Sequence, residues 1–228
     1  MAQQRPLSER LSKLPPGRHL VPSDFVSQNQ RERILLATAE LVAERGYQKT
    51  TIELIAKTSR VALVTFYEHF PSKEECFLAA FDESVAAARE VFAELLNPED
   101  PWQDQISAAL EILLEMVVKE QARAKLCIVE AQAAGSAALG RYQGMLEGVA
   151  PKLREGREFN PRSSRLPDGL EVAIAGGIAW LVHQRLVAGK ADELMALLPE
   201  MLQVTVTPYV GEVEAGRAAD AAQARVAA

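Results

Sequence analysis

The sequence predicts an all-α protein with a small N-terminal helical unit followed by a larger helical domain. Apolar residues recur at helical spacing through most of the chain from residue 28 onward. Hydrophobic residues make up 48% of the 228 residues and aromatic residues only 6%, which is typical of aliphatic helix packing. A short break at residues 59–61 separates two helical stretches that are too short to be stable alone. Together these patterns predict helices packed on helices.

The stretch 50–73 reads TTIELIAKTSRVALVTFYEHFPSK and organises the rest of the chain. Two short helices joined by about three residues predict a helix-turn-helix. The small Ala56 lies where the two helices cross, so their backbones can approach closely. Pro71 ends the second helix sharply, and Ser72 with Glu75 predicts a capping box that starts the next helix.

This stretch resembles the DNA-binding domain of the TetR family of transcriptional regulators. The residues that carry the resemblance are Thr50-Thr51, Ile55-Ala56, Val61, the run Thr65-Phe66-Tyr67-Glu68-His69-Phe70, and Lys73. The resemblance is strong over about residues 28–85 and extends weakly to about residue 210. It implies a ligand-responsive regulator, most often a repressor, that binds a palindromic operator as a homodimer and is released by a small molecule.

Two residues of the turn depart from the family pattern. Arg60 stands where the family usually has glycine, and the left-handed backbone conformation costs arginine roughly 1–2 kcal/mol. Ala62 stands where a serine or threonine often caps the recognition helix, and alanine cannot cap. These departures, with an acid-leaning head, keep an alternative open: a helical ligand- or partner-binding dimer with a degenerate DNA-binding head.

The second helix of the motif is predicted over residues 62–69 and would lie in the major groove. Phe66 and Phe70 are predicted to face inward. The predicted outward residues are Ala62, Leu63, Val64, Thr65 and His69. We hypothesise that Leu63 and Val64 touch thymine methyl groups, the apolar feature of the major groove. The alternative is that these two side chains pack on the first helix or are simply exposed.

Further DNA contacts are predicted partly by resemblance. In the family the positions of Thr65, Tyr67, His69 and Lys73 lie at the DNA, and Tyr67 and Lys73 are implied to hold phosphates. Thr51 begins the first helix of the motif, where a capping box of Thr50 with Glu53 is predicted and unpaired amides favour phosphate. Arg33 is a candidate phosphate contact, with solvated surface charge as the alternative.

The charge distribution allows DNA binding despite the net charge of −6. Residues 1–33 carry six basic and three acidic groups, whereas residues 34–83 carry five basic and eight acidic groups. Such a head can still present a basic face, but it predicts modest non-specific affinity. Residues 1–27 are rich in proline and predict a flexible basic arm. This arm is either a disordered extension or a segment that follows the minor groove.

The remaining sequence predicts a helical ligand-binding and dimerisation domain over residues 81–210, after a DNA-binding domain over residues 28–80. We predict helices at 28–45, 73–96, 102–119, 121–134, 137–157 with a kink at Pro151, 170–188 and 192–206, and a mobile tail at 211–228. The helix at 73–96 belongs to both domains. By resemblance, it carries the effect of ligand binding to the head.

The helix at 170–188 is apolar on almost every side, which predicts the core on one face and a second subunit on the other. Gly176 and Gly177 would allow another backbone to approach closely. The resemblance implies a homodimer through the last two predicted helices. Candidate ligand-binding residues are Phe92, Trp102, Met116, Met145, Trp180 and His183. They favour an apolar effector, and plain core packing is the alternative for each of them.

Signals for other classes of protein are missing from the sequence. It contains no glycine-rich phosphate loop, no nucleophile elbow and no metal-ligand spacing, so we predict no enzyme activity, cofactor or metal. Cys76 and Cys127 form no redox spacing and favour a reducing compartment. The N-terminal residues show no secretory signal, and no apolar run reaches the roughly 20 residues of a membrane span. We therefore expect a cytoplasmic protein.

Overall fold

The structure is a computed structural model that describes residues 23–162 and 165–226. Within these ranges it contains helices and no strand, which confirms the all-α prediction. The α-helices are α1 Ser23–Arg45, α2 Ile52–Ser59, α3 Leu63–His69, α4 Lys73–Leu95, α5 Trp102–Lys119, α6 Gln121–Ala124, α7 Ser136–Glu147, α8 Ala150–Arg154, α9 Leu170–Val187, α10 Leu198–Val210 and α11 Glu212–Val226. A π-helical segment spans Lys125–Val129, and 3₁₀ turns span Glu130–Gln132, Glu155–Phe159, Ala191–Glu193 and Met195–Leu197.

Helices α1 to α3 and the first half of α4 share one core. Ile34 of α1, Ile55 of α2, Phe66 of α3 and Phe77 of α4 are all buried. The ring of Phe77 lies edge-on to Tyr47, with 5.1 Å between ring centroids. Because the start of α4 is part of this core, α4 cannot shift far without disturbing the helices before it.

The predicted arm at 1–27 is corrected in part, because α1 begins at Ser23, five residues before the predicted start. Residues 1–22 lie outside the described part of the chain.

The segment predicted as a helix over 121–134 is irregular. The short α6 passes into the π-helical segment and then into the 3₁₀ turn Glu130–Gln132. The π-helical segment buries Leu126, Cys127 and Ile128, and it packs against both α1 and α9. A wider turn shifts the faces of a helix relative to one another, so apolar residues reach both neighbours.

The helix predicted over 137–157 is two helices. Helix α7 ends at Glu147, and α8 begins at Ala150 with Pro151 in its first turn, where a missing N–H is tolerated. The proline therefore starts a helix and does not kink one. Further on, a Cβ atom at Gly156 would lie 2.4 Å from Trp102 Cζ2 and 2.8 Å from Tyr209 Cγ. This glycine allows the backbone to pass directly beside the two rings.

The predicted mobile tail at 211–228 is wrong for the part that the structure describes. Residues Glu212–Val226 form α11, which follows Gly211 and packs along α10. Ala215, Ala219 and Ala222 are buried at helical spacing. Small side chains let the two helices lie close together, so no large apolar face is needed. At its end, Arg225 donates a 2.6 Å hydrogen bond to Ser107 of α5.

Candidate nucleic-acid interface

Helix α3 presents an outer face of unusual composition. Leu63, Val64 and Tyr67 are 43%, 66% and 51% exposed. On the opposite side Phe66 and Phe70 are buried, as predicted. The two phenylalanines anchor the helix in the core of the head, and the outer side chains are free to meet another molecule.

The other predicted residues of this face differ in exposure. Ala62 is exposed and precedes the helix as its N-cap without a side-chain cap, as expected for alanine. Thr65 and His69 are half-buried. Burial lowers the pKa of His69, with smaller opposing effects of the Glu68 and Arg31 charges. Their contacts with DNA stay predictions.

Arg60 adopts the left-handed conformation, with φ 55° and ψ 42°. It is the one non-glycine residue with positive φ in the described ranges. The guanidinium of Arg33 donates hydrogen bonds to the carbonyl oxygens of Ser59 and, at 2.9 Å, of Arg60. Burial, and then the charge of Arg60, lowers the pKa of Arg33. Arg33 therefore completes the turn as a cap of α2, a role that the sequence did not predict; its phosphate contact stays a prediction.

The start of α2 differs by one residue from the predicted capping box. Thr51 is the N-cap, and its hydroxyl accepts a 3.3 Å hydrogen bond from the N–H of Leu54. Thr50 is buried and donates to the carbonyl of Gly46 at 3.0 Å. The predicted capping box of Thr50 with Glu53 is therefore wrong, because Thr50 is buried ahead of the helix and Thr51 is the N-cap. Thr51 is exposed, so its predicted phosphate contact remains open.

Lys73 has partners inside the head. Its ammonium group donates to the carbonyl oxygens of Tyr47 and Thr50, each at 3.0 Å, and lies 4.1 Å from the centre of the Tyr47 ring. Burial lowers the pKa of Lys73. Two of its three donors thus fasten the connection between α1 and α2 onto α4. One donor is left for the predicted phosphate contact.

The same connection touches the second domain. The N–H of Tyr47 donates a 2.8 Å hydrogen bond to the carboxylate of Glu130, and the side chain of Gln48 donates to the carbonyl of Ala133 at 3.2 Å. Gly46 lies beside this carboxylate, and its φ of 82° is the feature that favours glycine there. A direct contact therefore joins the head to the irregular segment after α6.

The six predicted ligand-binding residues fall into different environments. Trp102 is buried, donates to the carbonyl of Lys152 at 2.9 Å, and contacts the ring of Tyr209. Phe92, Met116 and Met145 are half-buried. Trp180 is 56% exposed and stacks on His183 at 5.4 Å. The expectation that Trp180 lines an interior cavity is therefore wrong in this chain, because it points outward from α9.

Sequence reasoning missed a buried carboxylate in the second domain. Glu171 is fully buried, and Arg157 Nε and Nη2 donate to its two oxygens at 2.6 Å and 3.1 Å. The hydrogen bond from Arg157 holds the pKa of Glu171 below its ordinary value. Burial, aided by Glu171, raises the pKa of nearby Tyr209 to about 12. The available signal was an acid at the start of an otherwise apolar helix.

The comparisons with known proteins agree with the helix-turn-helix geometry. The family described as "Bacterial regulatory proteins, tetR family" matches residues 34–80, which include α2 and α3. Residues 34–80 are therefore similar to the N-terminal DNA-binding domain of TetR-family regulators. The exposed face of α3 lies within these residues.

The similar proteins differ in how much of the chain they match. The uncharacterised HTH-type transcriptional regulator YhgD of Bacillus subtilis is 29% identical over 44% of this chain, which spans about half (53%) of that protein. The regulator EthR of Mycolicibacterium smegmatis is 26% identical over 79% of this chain and 84% of its own length. FadR of Bacillus subtilis, solved in complex with stearoyl-CoA, superposes with a TM-score of 0.64 at 20% identity, covering 77% of this chain and 97% of its own. The FadR likeness shows a shared fold.

Proposed function

We propose that this protein is a ligand-responsive transcriptional regulator, acting as a repressor, that binds a palindromic operator as a homodimer. The observation that carries the proposal is the exposed outer face of α3 within the domain that matches the family. Two copies would place α3 in successive major grooves, with half-site centres about 34 Å apart. Helix N-termini and exposed cations such as Lys57 and Arg60 would hold the phosphates.

The alternative of a degenerate head is less well supported. Its grounds were Arg60 in the turn, Ala62 without a cap and the excess of acidic residues in the head. Arg60 does adopt the costly conformation, but the two hydrogen bonds from Arg33 complete the turn, and α3 is anchored by buried Phe66 and Phe70. The elements of a functional head are therefore assembled.

The outer face of α9 supports the homodimer. Helix α9 is long and apolar enough, by length and composition alone, to cross a membrane. Only 33% of its residues are buried inside this chain, so much of its apolar surface is left uncovered by the chain itself. Val172, Trp180 and Val187 are exposed on it, and nothing lies within 4 Å of a Cβ built at Gly177. An apolar face with room for close backbone approach suits a second copy of the same face. Val204 of α10, 62% exposed, would contribute to this interface from the second helix of the predicted pair.

An apolar effector in the second domain would act through the contact between domains. The candidate residues are mostly apolar, and the FadR fold neighbour was solved with stearoyl-CoA, which makes a long acyl chain our preferred effector class. Movement of the segment after α6 would displace the Glu130 carboxylate and so shift or break its hydrogen bond with the Tyr47 N–H of the head. The effector would then favour a state in which the two heads no longer match the half-site spacing.

The test is fluorescence anisotropy of the full-length protein with the DNA upstream of its own gene, over a range of salt concentrations. A scrambled duplex of the same composition is the control. We expect tighter binding to the native duplex, which weakens steeply with salt, and release by stearoyl-CoA but not by coenzyme A alone. Equal, weak binding to both duplexes, followed by a random-sequence selection that enriches no motif, would refute operator recognition.

A further inference from the structure

Resting on the proposed operator binding, we propose that exposed Leu63 and Val64, in the first turn of α3, read the C5-methyl groups of pyrimidines. The operator half-site would then require thymine at the contacted positions. At those positions 5-methylcytosine would bind better than cytosine, so the regulator would sense cytosine methylation. The ligand is thus defined by its chemistry: a methyl group that projects into the major groove.

The first step concerns the position of the two side chains. The N-terminal residues of a recognition helix are the ones that reach base edges. Leu63 and Val64 are the first two residues of α3, with 43% and 66% of their surface exposed. Ala62 before them is exposed as well. Three consecutive side chains at the reading end of the helix therefore have no hydrogen-bonding group.

The second step concerns why these residues are apolar. The inner side of α3 is already filled by Phe66 and Phe70, so Leu63 and Val64 are not needed for the core of the head. Apolar side chains cannot read the donors and acceptors of the base edges, and the apolar feature of the major groove is the thymine methyl. Contact between a methyl group and such a side chain removes apolar surface of both from water.

The third step extends the contact to modified cytosine. The methyl group of 5-methylcytosine occupies the same ring position as that of thymine. A side chain that recognises the methyl by apolar contact does not depend on whether the neighbouring exocyclic group is an oxygen or an amine. Methylation of a cytosine at this position therefore restores the apolar contact that replacing thymine by cytosine removes.

The experiment uses the full-length protein and the duplex that a random-sequence selection yields. Each thymine of the half-site is replaced in turn by deoxyuridine, which removes only the methyl group, and in a second series by cytosine and by 5-methylcytosine. We expect deoxyuridine to weaken binding about fourfold for each contacted thymine, the effect of one buried methyl-sized group. We expect 5-methylcytosine to bind about fourfold more tightly than cytosine at the same position.

The matched variant is Val64→Ser, which removes both methyl groups of the side chain that could contact the base methyl. It should lose discrimination between thymine and deoxyuridine at one position while the salt dependence stays unchanged, because no phosphate contact is removed. Leu63→Ser tests the neighbouring contact in the same way. Circular dichroism melting shows whether both variants fold.

Two results would overturn the proposal. If the protein selects a motif yet binds thymine and deoxyuridine equally at every position of the half-site, methyl reading is wrong while operator binding stands. If the selection enriches no motif and binding is equally weak to all duplexes, both the methyl reading and the proposed function fall.

Discussion

Replacing Arg60 by glycine should stabilise the fold and weaken DNA binding at the same time. Arg60 has φ 55° and ψ 42°, a conformation that costs a residue with a Cβ atom roughly 1–2 kcal/mol and costs glycine nothing. Glycine also gains freedom in the unfolded chain, which offsets about 0.4–1 kcal/mol. The expected net gain is about 0.5–1 kcal/mol, equivalent to about 1–4 °C in the melting temperature of a chain of this size.

The charge of Arg60 adds to this expectation. Burial lowers the pKa of Arg33 most, and the charge of Arg60 lowers it further, so removal of that charge also relieves repulsion inside the turn. At the DNA, loss of one exposed cation should weaken binding several-fold. It should also reduce the slope of log affinity against log salt by about 0.9 if the cation contacts one phosphate.

The assay is urea denaturation of the wild type, Arg60→Gly and Arg60→Ala, with anisotropy measured on the same preparations. Arg60→Ala is the matched control because it removes the same charge but keeps the Cβ atom. We expect the glycine variant to be more stable than the alanine variant and both to bind DNA equally weakly. Equal stability of the two variants would refute the assignment of strain to this turn.

Three further predictions concern the second domain. Gly156→Ala should destabilise the fold by about 1–3 kcal/mol or more, because its Cβ would lie 2.5 Å or less from two atoms of the Trp102 ring; an unchanged urea midpoint would contradict this. Arg157→Met should destabilise the fold, because it removes both hydrogen bonds of this guanidinium to the Glu171 carboxylate and leaves only the Tyr209 hydroxyl at 3.4 Å and Arg154 at 3.9 Å. The folded pKa of Glu171 is lowered, so its carboxylate stabilises the fold above the unfolded pKa, and this stabilisation is lost as the pH falls through the folded pKa. The difference in urea midpoint between the wild type and Arg157→Met should therefore narrow on acidification. A difference that stays constant would argue against the pair. Trp180→Glu should shift the protein to monomer in sedimentation velocity, since it places a charge on the exposed face of α9; an unchanged dimer would move the interface elsewhere.

Local signals in the sequence were sufficient for the order of helices in the head and for the inner face of α3. The spacing of Phe66 and Phe70 indicated the inner side of α3, and the break at 59–61 indicated the turn. The left-handed conformation of Arg60 was predictable as well, because the turn demands it whichever residue stands there. These features depend on neighbours within about one helical turn, so periodicity and motif spacing contain them.

The functional assignments that the sequence missed depend on residues far apart in the chain. Arg33 meets the turn 26 or 27 residues later, and Lys73 meets carbonyls 23 and 26 residues earlier. A long cationic side chain has no periodic signature that separates a phosphate contact from a helix cap. The fold determines which carbonyl groups lie within reach of each cation, while the phosphate contacts of Arg33 and Lys73 stay predictions.

The C-terminal residues 211–226 also show what the sequence determines and what the tertiary structure decides. By itself the sequence determined the all-α class and the helix-turn-helix. For the C-terminal residues it determined only an alanine-rich stretch with good helix propensity and no large apolar face. Only the tertiary structure decided that this stretch packs, because α10 offers a surface close enough for Ala215, Ala219 and Ala222 to be buried. Likewise it decided that Glu130 meets Tyr47 and that Glu171 meets Arg157. Burial is a property of two surfaces, and a sequence pattern describes one of them at a time.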